Sequence, residues 1–82
     1  MGITMKKSEI QVGKTYHNGK EGRWYGERQV IDAGAHLLLY AGQRETDCIR
    51  YRVRRGPNLG GEGNMTRAAF AAWAKGEVGK NA

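Results

Sequence analysis

Hydrophobic and polar residues alternate most clearly in residues 46–54 of the chain. Ile49, Tyr51 and Val53 occupy every second position there, and an arginine follows each of them. Such alternation is typical of a β-strand with one face in the core and the other in solvent. The pattern predicts an antiparallel strand with a fixed register, because a slip of one residue would bury three charges.

Two segments nearer the N-terminus predict further strands. In residues 10–16, Ile10 and Val12 fall on one face of an extended chain. In residues 24–32, apolar and polar positions alternate after a glycine that favours a bulge, and we expect Val30 to face the core. Both segments are followed by glycine-containing turns, which is the arrangement of an antiparallel meander.

Residues 36–41 form a continuous apolar run rather than an alternating one. Three leucines precede Tyr40, and Gly34 and Gly42 lie on either side. A short run bounded by glycines favours a strand buried on both faces over a helix. We therefore expect a central strand at this point.

The C-terminal third predicts a loop followed by a helix. Residues 56–64 hold the only proline and several glycines, so they predict a loop. Thr66 is a suitable N-cap for a helix over about residues 66–76, in which Phe70 and Trp73 lie on one apolar face.

Together these elements predict an α+β fold that is mostly β. The architecture is a small antiparallel sheet, or a partly open barrel, with one C-terminal helix over the sheet or barrel end. We expect one domain over residues 9–78, with flexible tails at 1–8 and 79–82.

Composition narrows the class of protein further. The chain has 82 residues and one cysteine, which excludes an internal disulfide framework and a cysteine-rich zinc site. No apolar run approaches the roughly 20 residues of a membrane span, and residues 1–7 lack the apolar segment of a secretory signal. We therefore expect no membrane association.

The net charge of +6 is concentrated on the predicted arginine strand. Side chains two apart on a strand are about 6.6–6.8 Å apart, close to the spacing of phosphates along one nucleic-acid strand. An alternative is that these arginines form a solvated face paired with Glu9, Glu21, Glu27 or Asp32. The residues that we expect to bind nucleic acid or another anion are Arg50, Arg52, Arg54, Arg55, Arg28, Arg23 and Arg67.

Catalytic chemistry has little support in the sequence. His17 and His36 stand in unrelated contexts, and Cys48 reads as a small half-buried apolar residue. The glycine-rich loop matches neither nucleotide-binding glycine motif, although an anion held by the helix N-terminus and Arg67 is an alternative to a simple connector. We predict that the protein is not an enzyme and holds no cofactor or metal.

A set of short sequence patterns resembles those of small phage and prophage accessory proteins. It consists of Ile10-x-Val12-Gly13-Lys14-x-Tyr16, Arg28-x-Val30-x-x-x-Gly34, Tyr51 and Phe70-x-x-Trp73-Ala74. The β part is also similar to small SH3-like barrels. The resemblance implies a binding protein in the cytoplasm of a bacterial host cell, with interference in host defence as one role.

Two functions follow from these patterns. The first is a small basic module that binds nucleic acid through the arginine-rich strand. The alternative is a phage anti-defence or host-interaction protein that binds an acidic bacterial protein or a nucleotide ligand.

The oligomeric state is open. Chains of this length often complete a small core by forming a homodimer, and the arginine strand is a candidate edge.

Overall fold

An antiparallel sheet and one short helix make up the computed structural model, which describes residues 5–79. Residues 1–4 and 80–82, which belong to the expected tails, lie outside the described residues. Within the described part the elements are β1 (Thr15–His17), β2 (Glu27–Ala33), β3 (Cys48–Arg55), β4 (Glu62–Thr66), α1 (Arg67–Trp73) and β5 (Gly76–Glu77). Three short 3₁₀ turns, at Lys7–Glu9, Gly22–Trp24 and Ala35–Leu37, complete it.

The five strands described lie in the order β4-β3-β2-β1-β5, and every neighbouring pair is antiparallel. Within residues 5–79 the sheet is not closed into a barrel. The predicted α+β class is therefore confirmed, in its open-sheet form rather than as a barrel. Strand β3 lies between β2 and β4, so the arginine strand, a candidate edge from the sequence, is not an edge among the strands described.

Alternation along β3 follows the predicted pattern. Ile49 and Val53 are buried and Tyr51 is partly buried, whereas Arg52 and Arg54 are exposed. Strand β2 pairs with β3 over its whole length and shifts register at two bulges. Of its residues, Val30 is fully buried, as the sequence predicted.

Phe70 lies at the centre of the core, where the helix meets the sheet. Its ring centroid is 5.6 Å from that of Tyr16, 6.2 Å from that of Tyr51 and 5.4 Å from that of Trp73. Aromatic pairs of this kind add about 0.5–1.5 kcal/mol each beyond the burial of their area. The helix is therefore held on the sheet by one ring that contacts β1 and β3 together.

The helix begins as predicted but ends early. The Thr66 hydroxyl accepts a hydrogen bond from the Ala69 N–H at 3.1 Å, which confirms the N-cap. Helical structure stops at Trp73, before residue 76, because N–H groups beyond Ala74 turn to β1. Lys75 donates to the His17 carbonyl and Val78 to the Thr15 carbonyl, both at 2.8 Å.

Within residues 10–16 the strand begins only at Thr15, and the Tyr16 side chain helps to hold the residues before it. The buried Tyr16 hydroxyl donates to the Glu9 carbonyl at 2.6 Å and accepts from the Gln11 N–H at 2.9 Å. Burial raises the pKa of this hydroxyl above its ordinary value. Ile10 is thereby buried while Val12 is exposed, so the two do not share a buried face as expected.

The expected strand at 36–41 is wrong. Leu37 is buried at the end of a 3₁₀ turn, but Leu38, Leu39 and Tyr40 are exposed. Strands β2 and β3 pair directly with each other, so no position is left for a strand between them. Apolar character alone did not distinguish a core strand from an exposed apolar loop.

The glycine-rich segment is a hairpin connection shorter than predicted, since Glu62, Gly63 and Asn64 already pair with β3. The Gly60 N–H donates to the Val53 carbonyl at 2.9 Å, which closes the hairpin.

Two glycines of this hairpin give a matched test of close packing. Gly56 and Gly60 both have positive φ, at 97° and 85°. A Cβ on Gly56 would lie 2.5 Å from the Tyr25 carbonyl oxygen, whereas a Cβ on Gly60 would meet nothing within 4 Å. We expect Gly60→Ala to cost about 1–2 kcal/mol of unfolding free energy for its backbone conformation. Gly56→Ala should cost clearly more, as measured by urea unfolding; equal losses would contradict the steric argument.

Candidate functional site

The arginine strand face, defined as Arg50, Arg52 and Arg54, lies on the side of the sheet away from the helix. Register explains its contacts, because Arg50 stands opposite Asn64 and Arg52 opposite Glu62 on β4. The Arg50 Nε donates to Glu62 Oε1 at 3.0 Å, and the Arg52 Nε donates to Glu62 Oε2 at 2.8 Å. One carboxylate thus bridges two of the three arginines.

These contacts hold the pKa of the Glu62 carboxyl below its ordinary value, first through the hydrogen bond from Arg52 and then through that from Arg50. The third arginine, Arg54, donates to the side-chain carbonyl of Gln29 at 2.8 Å. The arginine strand face is therefore already hydrogen-bonded across the sheet. Its acidic partner is Glu62, which the sequence placed in a loop.

Asp32 lies opposite Arg50 on β2 but is bonded mainly elsewhere. Its carboxylate is 2.9 Å from Nε2 of His36, and that hydrogen bond, followed by one from the Ala33 N–H, lowers its pKa. The arginine strand face is thus paired with an acid, as the alternative interpretation expected. That acid is Glu62, which was not among the four acids expected from the sequence.

Arg67 holds the N-terminal segment to the start of the helix. Its Nε donates to Asp47 Oδ1 at 2.8 Å, and its Nη1 contacts the Ile10 carbonyl oxygen. The structure does not bring Arg67 onto the arginine strand face or into the cleft described next. Its guanidinium serves a packing contact between distant segments of the chain.

A second basic surface surrounds a cleft beside the C-terminal end of α1. We call it the tryptophan cleft. It has a volume of about 210 Å³ and lies between the Asn18–Gly26 loop, the chain after β3 and the end of α1. Its charged and aromatic lining residues are Lys20, Trp24, Glu27, Arg28, Arg55 and Trp73. Three cationic side chains and one carboxylate leave a surplus of two positive charges.

Arg28 is the most constrained cation of the cleft. Alternation along β2 places it on the face of Val30, where it stands opposite Val53. Its guanidinium lies 4.5 Å from the ring centroid of Tyr51 and 4.4 Å from that of Trp73. No carboxylate among residues 5–79 lies within 4.0 Å of it. Two aromatic rings therefore position a cation without neutralising it.

Glu27 supplies the negative charge of the cleft. It is only 7% exposed, and the Tyr25 hydroxyl donates to its Oε2 at 2.6 Å. That hydrogen bond is the main reason why the pKa of Tyr25 is raised. The Arg55 Nη1 lies 3.9 Å from the same oxygen, and its side chain is 71% exposed. Arg55 is therefore only loosely paired.

Trp24 presents its indole at the mouth of the cleft. It ends the 3₁₀ turn Gly22–Trp24 and is 62% exposed. The Arg23 guanidinium lies 5.1 Å from the centroid of its ring. An exposed indole next to arginines provides a flat surface on which another ring system can stack.

The structure divides the predicted site residues into groups. Arg28, Arg55 and Arg23 meet at or beside the tryptophan cleft, whereas the arginine strand face lies on the opposite side of the sheet and Arg67 elsewhere. Sequence reasoning missed Glu27 and Trp73 as lining residues. The Phe70–Trp73 spacing assigned Trp73 to the core, and no signal distinguished Glu27 from other surface acids.

Cys48 is fully buried rather than half-buried, and the Gln43 side-chain amide donates to its sulfur at 3.2 Å. Across residues 5–79, no three His, Cys, Asp or Glu side chains are grouped so that they could hold a metal ion. In that same part of the chain, no helix has the length and apolar character needed to cross a membrane.

Comparisons of the chain with protein-family models, curated proteins and solved structures gave no match.

The bridge at Glu62 predicts a specific pH response. Because its pKa is depressed by Arg52 and Arg50, the contacts persist above that pKa and are lost as the pH falls through it. Arg52→Gln should move the Glu62 pKa back towards its ordinary value, as followed by carboxyl ¹³C chemical shifts. Arg54→Gln is the control, since Arg54 bonds Gln29 instead. An equal pKa change in both variants would contradict the assignment.

Proposed function

We propose that the protein binds nucleic acid through the tryptophan cleft. The observation that carries the proposal is Arg28, a cation held between two aromatic rings with no carboxylate within ion-pair distance among residues 5–79. Lys20 and Arg55 add two exposed cations around the same cleft. Clustered cations beside exposed aromatic rings are the combination that nucleic-acid-binding surfaces use.

Phosphate is the anion that suits this arrangement. A guanidinium offers a planar fork of N–H donors that matches phosphate oxygens, and Arg55 is exposed enough to turn towards a ligand. The net charge of +6 also attracts a polyanion more strongly than it would attract a single carboxylate. For this activity we propose a cytoplasmic location, where nucleic acid is accessible.

The cleft is a better candidate than the arginine strand face. A ligand phosphate on that face must compete with Glu62 for Arg50 and Arg52, and with Gln29 for Arg54. Those hydrogen bonds would be lost before new ones form. We therefore assign the arginine strand face a secondary contribution, through its charge.

The adjacent pair Arg54 and Arg55 allows a matched test. Each change to Gln removes one positive charge from an exposed position, but only Arg55 lines the cleft. Binding of a labelled oligonucleotide is measured by fluorescence anisotropy at several salt concentrations. We expect Arg55→Gln to weaken binding and to reduce the slope of log K against log salt by about 0.7–0.9, one phosphate contact.

Arg54→Gln should reduce that slope less than Arg55→Gln does. A larger effect of Arg54→Gln than of Arg55→Gln would assign binding to the arginine strand face instead. A protein that binds neither single-stranded nor duplex oligonucleotides at low salt would overturn the function itself.

A second candidate function is recognition of a bacterial protein, as an anti-defence or host-interaction factor would require. The observation that favours it is the exposed apolar segment Leu38, Leu39 and Tyr40, which follows the Ala35–Leu37 turn. Contiguous exposed apolar side chains often mark protein interfaces.

Capture from a bacterial lysate, with and without nuclease, separates the two functions. If the exposed apolar segment binds a protein, that partner should survive nuclease treatment and be lost from Leu39→Asp, while Arg55→Gln retains it. A partner that disappears with nuclease, or that Leu39→Asp still captures, would exclude this surface as a protein interface.

A further inference from the structure

The tryptophan cleft separates its charges by depth. Glu27 is 7% exposed and lies deep, whereas the side chains of Arg55 and Lys20 are exposed at the mouth. The carboxylate thus lies on the inner side of the cleft and two of its cations on the outer side. The third cation, Arg28, is partly buried.

This arrangement determines which part of a nucleotide enters. A phosphate placed deep in the cleft would approach the Glu27 carboxylate, and like charges repel strongly where little water screens them. A nucleobase is neutral and carries N–H donors that a carboxylate accepts. These charges favour entry of the base, with the phosphates at the mouth beside Arg55 and Lys20.

The size and lining of the cleft suit one planar ring system. Its volume of about 210 Å³ is below the range of about 300–1,000 Å³ typical of pockets for drug-sized ligands. Trp24 offers an exposed indole to that ring, and Trp73 also lines the cleft. Stacking of a base on an aromatic side chain does not depend on which base it is.

Building on the nucleic-acid function proposed above, we infer that the ligand is a single-stranded polynucleotide with one unstacked base inserted beside Trp24. The bases of a duplex are already stacked on one another and paired, so their faces are inaccessible to an indole. A duplex would gain only the phosphate contacts at the mouth. DNA and RNA single strands share the chemistry that the cleft recognises.

The test compares strands and two exposed aromatic residues. Labelled single strands of about 12 nucleotides, as DNA and as RNA, and the corresponding DNA duplex are titrated with the full chain by fluorescence anisotropy. The variants are Trp24→Ala and, as control, Tyr40→Ala. Trp24 and Tyr40 are exposed to a similar degree, at 62% and 65%, and Tyr40 does not line the cleft.

We expect at least one kind of single strand to bind about tenfold more tightly than the duplex. Trp24→Ala should weaken single-strand binding by about 5- to 100-fold and leave duplex binding unchanged, while Tyr40→Ala has no effect. Equal binding of strand and duplex, or a Trp24→Ala variant with unchanged affinity, would overturn this inference. If the salt response of Arg55→Gln persists in that case, the nucleic-acid function stands without base insertion.

Discussion

The packing of Phe70 against three other aromatic rings is the interaction on which the rest of the structure depends. Its ring is fully buried and contacts Tyr16 on β1, Tyr51 on β3 and Trp73 in its own helix. A helix of only seven residues has little stability of its own, so its packing against the sheet holds it in place. The position of Trp73, and hence one wall of the tryptophan cleft, follows from this packing.

Features encoded by local pattern could be predicted from the sequence. The alternation around Ile49, the burial of Val30 and the Thr66 cap all depend on residues close together in the chain, and each is present. The early end of the helix could not be predicted in the same way. It depends on the His17 carbonyl, which lies far from Lys75 in sequence and accepts its N–H.

Prediction of the candidate site from the sequence was limited in the same way, by contacts between distant segments. Charge and spacing identified the arginines correctly as a strand face, but the partners of those arginines depend on β4 beginning at Glu62. Burial of Glu27 depends on two other parts of the chain. One is the loop that contains Tyr25, and the other is the end of β3, where Arg55 lies. Neither could be read from periodicity, because both arise where separate segments meet.

Arg28 contributes both to the packing of the aromatic cluster and to the charge of the cleft. Its guanidinium fills the space between Tyr51 and Trp73, so a smaller residue would leave a gap beside the core, and an uncharged residue of equal length would remove the cation. In the function proposed for the cleft, folding stability and ligand affinity are therefore coupled at this position. Selection for either property restricts the residues acceptable for the other.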